Sequence, residues 1–250
     1  MSSRLMLGLG LWCMLSGLLA RGDDWATFLG PNGDGTSAET GIDPELWQPH
    51  PPMVWRKELG VSYGGPTIVG QELFQFDRFG SKERLTCYDV DTAKEKWRWE
   101  YPAEYEDMYG YNNGPRCSPV IVDGRIYLYG VAGQLSCVDL ASRQPLWTKD
   151  TLREYGVVQN FFGVASSPYV HKDKLLVMIG GSPAESARLP SGRLDLVEPN
   201  GTAIVAFDCA TGKELYRVGD DLASYSAVTV REMGGRLVGL AFLRGGLLGW

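Results

Sequence analysis

The stretch Leu85–Trp97, LTCYDVDTAKEKW, ends an apolar run on Asp89 and places Trp97 eight residues later. The frame returns over residues 135–147 as LSCVDLASRQPLW, with Asp139 and Trp147. It returns again over residues 204–216 as IVAFDCATGKELY, with Asp208 and Tyr216. Such a pair could hold a cofactor or hold the fold. Three copies favour the fold, because a cofactor site is normally single. An Asp at a strand end accepts hydrogen bonds from the backbone N–H groups of the next turn. The aromatic residue then opens the following strand and packs on a neighbouring unit.

Working outward, each copy lies inside a larger unit. Short apolar runs open the units: GPTIV (65–69), SPVIV (118–122), SPYV (167–170) and SAVTV (226–230). Tight turns follow at Gly70-Gln71, Asp123-Gly124, His171 to Lys174 and Met233 to Gly235. Asp-Gly between apolar runs is a strong hairpin signal. Second runs are ELFQF, RIYLYG, LLVMIG and RLVGLAF, a third run ends on the repeat Asp, and a fourth starts near the aromatic. Four short antiparallel strands at a period of roughly fifty residues indicate an all-β protein, a β-propeller of four-stranded blades. One such sheet cannot bury both faces alone, and stacking the units buries them. The expected blades lie near 65–101, 117–150, 166–219 and 225–250, the last incomplete.

Composition agrees. The 250 residues are 44% hydrophobic and 22% charged, which is ordinary globular composition with ample length for a core. The 32 Gly and 14 Pro suit a chain of many turns. A net charge of -6 leaves no basic footprint for nucleic acid. Arg4, the apolar run Leu5 to Ala20 and a small residue before RGDDW read as a secretory signal peptide over residues 1–20. Export to the periplasm or outside the cell follows, with no transmembrane segment after cleavage. Residues 21–52 read as an N-terminal extended segment, and 53–250 as the propeller. Cys87, Cys117, Cys137 and Cys209 have no metal-ligand spacing and read as buried small apolar residues. Export permits a disulfide without naming its partners.

The pattern in AFDCATGKELY (206–216) resembles the repeat of pyrroloquinoline quinone (PQQ) propellers. CYDVDTAKEKW departs from it with Thr-Ala for Thr-Gly, and CVDLASRQPLW with Ser-Arg. The resemblance covers about residues 50–250 and implies the fold. It implies two kinds of function: quinone-dependent alcohol dehydrogenases, and non-enzymatic scaffolds similar to the assembly factor BamB. Within the family the chain looks most like secreted bacterial PQQ-like propellers. Both types usually have seven or eight blades. The dehydrogenases clamp PQQ with adjacent cysteines and a Ca²⁺ carboxylate site, and this sequence has no adjacent cysteines. BamB-type proteins are lipoproteins, and no lipobox surrounds Cys13.

Trp250 stands in register with Tyr88, Val138 and Phe207, while MVWRKEL (53–59) reads as a lone outer strand with Trp55 in the Trp97 position. Either the chain is the first half of an eight-bladed propeller, or Val54–Leu59 closes a four-bladed ring against the strand ending at Trp250.

Loop lengths point to one face. Loops 104–116 and 152–165 lead into blades, and DRFGSKER (77–84) and residues 182–202 join second to third strands. In a propeller these open on the same side, and loop investment marks a binding surface. The candidates there are Tyr109, Tyr111, Asn112, Asn113, Arg116, Gln159, Asn160, Phe161, Arg193, Asp195 and Arg244. Tyr and Arg are common anchors, and Asn and Arg suit a polar ligand or a Ca²⁺-bound quinone. Alternatively the loops pack on one another, with Asn112-Asn113-Gly114 as a turn and Arg116 paired to Asp107 or Glu106.

Other motifs fail on context. GVSYG (60–64) lies between strands, not at a strand-to-helix elbow. His50 and His171 have no nucleophile or ligand at useful spacing. NGDG (32–35) is a turn without an EF-hand pattern. The leading expectation is an exported, non-catalytic binding or scaffold protein for a protein or polar ligand, with no catalytic residue, metal or cofactor. The alternative is a PQQ- and Ca²⁺-dependent alcohol dehydrogenase.

Overall fold

The computed structural model describes residues 22–41, 43, 45, 48–157, 162–190 and 193–250. The expected signal peptide, Cys13 included, lies outside these residues. Among them, no helix is long and apolar enough to cross a membrane.

Four antiparallel sheets follow one another along the chain. The first holds β1 (Thr67–Val69), β2 (Glu72–Phe79), β3 (Lys82–Asp89) and β4 (Glu95–Pro102). The second holds β5 (Val120–Val122), β6 (Arg125–Tyr129), β7 (Gln134–Asp139) and β8 (Pro145–Asp150). A short helix, α1 (Thr151–Tyr155), leads to the third, with β9 (Tyr169–His171), β10 (Lys174–Met178), β11 (Ile204–Asp208) and β12 (Glu214–Val218). The fourth has three strands: β13 (Thr229–Met233), β14 (Arg236–Phe242) and β15 (Leu247–Gly249). Each sheet pairs its strands in chain order, so every blade is a simple meander. This is a partial β-propeller.

The repeated Asp does the expected work. Asp89 Oδ1 accepts from the N–H of Thr92 at 3.0 Å, Asp139 Oδ1 from Ser142 at 2.7 Å, and Asp208 Oδ1 from Thr211 at 2.8 Å. A bulge precedes each Asp, at Cys87/Tyr88, Cys137/Val138 and Ala206/Phe207. The turn then passes through a left-handed residue: Ala93 (φ 53°), Arg143 (φ 63°) or Gly212 (φ 67°). Gly takes that conformation without steric cost, so of the three copies only the one at Gly212 turns there unstrained.

The aromatic partner stitches blade to blade. Trp147 Nε1 donates to the carbonyl of Cys209 at 3.2 Å, on the next blade's turn. A Cβ on Gly212 would meet the Trp147 ring at 2.7 Å. Arg143, on the second blade's turn, stands over the Trp97 ring at 5.9 Å. Three apolar clusters fill the spaces between successive sheets. Phe74, Phe76, Leu85 and Trp97 meet Ile126 and Leu128. Tyr127, Tyr129 and Leu135 meet Leu175, Val177 and Phe207. Leu176, Met178 and Ile204 meet Ala241 and Leu243. Cys87, Cys117, Cys137 and Cys209 are free and buried in this packing, so no disulfide joins them.

Two readings need correction. DRFGSKER is not a loop: β2 and β3 run through it and close on Gly80-Ser81, with Gly80 at φ 61°. The salt bridge from Arg84 Nε to Asp77 Oδ1, 2.6 Å, spans the two strands and holds them together. Residues 53–59 form no strand and do not pair with β15, so no four-bladed ring closes. Trp55 Nε1 instead donates to the carbonyl of Val90 at 2.9 Å, and Val61 exchanges two 2.9 Å backbone bonds with Arg78. These contacts tie the segment to the first blade.

Candidate functional site

The positions just before each inner strand converge. Tyr63, Arg116, Ala165 and Tyr225 each stand four residues before the first residue of a blade's inner strand: Thr67, Val120, Tyr169 or Thr229. All four line one cavity of about 440 Å³, together with Phe28, Tyr111, Phe162, Ser167 and Ala227. The propeller symmetry thus aims four equivalent positions at one space, open to solvent at Tyr63 and Tyr111.

Rings dominate the walls. Tyr109 and Tyr111 stack at 5.9 Å between centroids. Phe162 lies 5.8 Å from Tyr109, 6.4 Å from Tyr111 and 5.6 Å from Tyr225. The hydroxyl of Tyr225 accepts from the N–H of Phe162 at 3.2 Å, linking the third blade's leading loop to the fourth blade. Tyr109 is 54% and Tyr111 71% exposed, so the stacked pair presents a face outward.

Arg116 is the cation of the wall, and the loop holds it. Its Nη2 donates to Asp107 Oδ2 at 3.2 Å and to the carbonyl of Asn112 at 2.9 Å, and Nη1 donates to the carbonyl of Gly114. Its guanidinium stands over Tyr63 at 5.3 Å and Tyr105 at 5.7 Å. Asp107 also accepts from the N–H of Tyr109 at 2.8 Å and of Asn112 at 3.3 Å. Burial pushes its carboxyl up, but these N–H groups and Arg116 outweigh that and leave it below the usual carboxylate range. Burial raises the Tyr105 phenol to about 12, and its hydroxyl has no hydrogen-bond partner among the described residues.

Behind the wall lies a buried acid. Glu83 accepts from the Tyr101 hydroxyl at 2.6 Å and from the N–H of Val131 at 2.9 Å. Val131 in turn accepts from the N–H of Val164, two residues from Phe162. Burial lifts the Glu83 carboxyl above its usual range against these donors. The contact ties the first blade to the second and, through it, to the loop that carries Phe162.

The structure sorts the sequence candidates. Tyr111 and Arg116 line the cavity, and Tyr109 backs it. Asn112 and Asn113 turn inward: Asn112 Oδ1 accepts from Gly114 at 2.8 Å, and Asn113 Oδ1 from Asp107 at 2.7 Å. Arg244 faces a narrow adjoining cleft, where Nη1 donates to the carbonyl of Leu194 at 3.3 Å. Arg193 and Asp195 pair with each other at 2.7 Å on the surface, away from the cavity. Gln159, Asn160 and Phe161 lie outside the described residues. Sequence reasoning missed Phe28, Tyr63, Phe162 and Tyr225. Aligning the units on the inner strands and reading four residues back would have found Tyr63 and Tyr225. Phe28 has no such signal, since it arrives from outside the repeat.

A Ca²⁺-bound quinone is the group this fold brings to mind, and the donor set does not fit it. Among the described residues, no carboxylate, His or Cys lines the cavity. No group of three or more His, Cys, Asp or Glu side chains among the described residues could hold a metal ion. The thiols of Cys87, Cys117 and Cys137 are buried apart, each pushed up to about 12 by desolvation.

Comparison with known proteins settles the family. The family described as outer membrane protein assembly factor BamB matches residues 50–217. The chain belongs to that family. Among solved structures it is similar to BamB from Moraxella catarrhalis, at 15% identity and a TM-score of 0.50, over 79% of this chain and 48% of that one. It is also similar to a europium-containing methanol dehydrogenase, at 17% identity and a TM-score of 0.42, over 64% of this chain and 25% of that one. A quinohemoprotein alcohol dehydrogenase from Pseudomonas putida HK5 matches at 19% identity and a TM-score of 0.41, over 66% and 21%. The chain therefore spans about half the length of the BamB structure and a quarter or less of the two dehydrogenases. No curated protein matches in sequence. The BamB-family chain thus shares its fold with BamB from Moraxella catarrhalis.

Proposed function

We propose that this BamB-family chain is an exported, non-catalytic binding module that holds a ligand in the aromatic cavity of its loop face. The lining carries the reading: five aromatic rings, one arginine already engaged by Asp107, and no acid or base free to move a proton. About 440 Å³ is the size of an ordinary small-ligand or side-chain pocket. Aromatic rings with an arginine are the residue types that anchor protein partners. The protein partner implied by the family name suits this surface, and a polar small molecule is the other occupant it would take.

The test is a titration of the purified protein with PQQ and Ca²⁺, followed by absorbance and by dye-linked alcohol oxidation. The expected result is no saturable binding at tens of micromolar quinone (~10⁻⁵ M, about 7 kcal/mol) and no dye reduction. Saturable binding with dye reduction would instead make the chain part of a quinone-dependent dehydrogenase.

A further inference from the structure

One segment of this chain already shows how the propeller axis receives an extended strand. Trp25 exchanges backbone hydrogen bonds with Ile68 of β1, at 2.8 and 3.1 Å. The next residue, Ala26, accepts from the N–H of Ile121 on β5 at 2.8 Å. The segment then crosses toward the fourth blade, where Arg231 Nη2 donates to the carbonyl of Gly33. The free inner edges of the first two blades are thus capped by a chain running across them.

The equivalent positions of the third and fourth blades are Val170 and Val230. Among the described residues no backbone segment pairs with the axial edge of either, and the one side-chain bond there is from Arg231 Nη1 to the carbonyl of Val230 at 2.9 Å, which leaves the Val230 N–H for a partner. Beside them runs a second cavity of about 230 Å³, walled by Thr27 to Gly33 on one side and by Tyr169, Val170, Val228 and Thr229 on the other. Phe28, Ser167 and Ala227 line both this cavity and the aromatic one, so the two adjoin along the axis. At the second cavity the Thr229 hydroxyl is buried with no hydrogen-bond partner. A cavity with strand edges along one wall and an aromatic pocket adjoining it has the chemistry of strand addition: backbone bonds for affinity, a pocket for one side chain.

Resting on the binding-module reading, we infer that the ligand is an extended peptide segment of a partner protein. It adds to the inner edges of β9 and β13 and places one aromatic or large aliphatic side chain among Tyr111, Phe162 and Tyr225. The segment Trp25–Gly33 shows the mode in the chain itself, on the first two blades.

The probe is a synthetic peptide of this chain's own residues 22–35, GDDWATFLGPNGDG, added to the purified ¹⁵N-labelled protein. Saturable shifts of the Val170 and Val230 amides below about 1 mM peptide are expected, with Ile68 and Ile121 unmoved. Tyr225→Ala should weaken binding about tenfold, and N-methylation of the peptide's Trp and Ala amides should weaken it as much. Three results would each overturn the inference: no saturation by about 1 mM, shifts at Ile68 and Ile121 in place of Val170 and Val230, or equal affinity for the N-methylated peptide. Any of these leaves the non-catalytic reading intact, since that reading falls on quinone binding with dye reduction.

Discussion

Gly114→Ala is expected to destabilise the protein by about 3 kcal/mol, the upper end for forcing one extra carbon into a packed site. A Cβ at Gly114 would sit 1.9 Å from the carbonyl oxygen of Val61 and 2.5 Å from its carbonyl carbon. Neither is a flexible side-chain end, so backbone must move. That backbone is committed elsewhere. Tyr63 N–H donates to the carbonyl of Pro115 at 2.9 Å, Ser62 Oγ to the same carbonyl at 3.0 Å, and Asn112 Nδ2 to the carbonyl of Ser62 at 3.3 Å. Separating the strips would break these bonds and shift the Gly114 carbonyl that Arg116 uses. Gly65→Ala is the control: its Cβ would meet nothing closer than Ser118 Oγ at 3.6 Å, an ordinary contact. Thermal unfolding of the two variants should give a large loss for Gly114 and a change within about 0.5 kcal/mol for Gly65. Equal midpoints would mean that residues 60–64 and 112–116 do not interlock.

Phe207→Ala should cost about 3–5 kcal/mol, the range for deleting a buried aromatic ring. Phe207 is fully buried in the cluster between the second and third blades. Its ring meets Tyr155 edge-on at 6.1 Å and lies beneath Lys149 Nζ at 5.5 Å. The void would open between two sheets that meet through many side chains and cannot close over it. Phe242 makes the comparison, being 60% exposed on the fourth blade. Its replacement by alanine should change stability by less than about 1 kcal/mol. A denaturant series on both variants checks the contrast. A loss at Phe242 as large as at Phe207 would show that the fourth blade's outer face is packed in solution.

The sequence displayed the propeller because the repeat is both spatial and chemical. Asp89, Asp139 and Asp208 each close the same bulged turn, and Trp97 and Trp147 each lie on the next blade's turn. One motif therefore reports both the strand ends and the stacking. DRFGSKER misled because its charged residues look like a solvated loop. Asp77 and Arg84 in fact neutralise each other across a strand pair, and charge alone does not separate those cases. MVWRKEL misled because an apolar-polar alternation says what could pair, not which neighbour is nearer. Trp55 found Val90 on the blade that follows it. The site was half legible. Tyr111 and Arg116 stood out in an unusual loop, whereas Tyr63 sat in GVSYG, a stretch that reads only as a link between strands, and Phe28 in a segment with no periodicity. Asn112 and Asn113 read in the sequence both as ligand groups and as a plain turn beside an Arg116–Asp107 pair, and the geometry has them serving the loop's own hydrogen bonds.

The central claim is that the repeated aspartates hold the frame while the loop face holds the ligand. The most direct measurement is the thermal unfolding of Asp89→Ala, Asp139→Ala and Asp208→Ala. Each carboxylate accepts hydrogen bonds from its own turn at both the backbone and, at Asp89 and Asp208, a threonine hydroxyl. Removing any one leaves those donors without their partner. The account expects all three variants to fold and to lose a few degrees each, by similar amounts. Midpoints equal to that of the unaltered protein would contradict it, and would return the repeated pair to the list of candidates for a ligand.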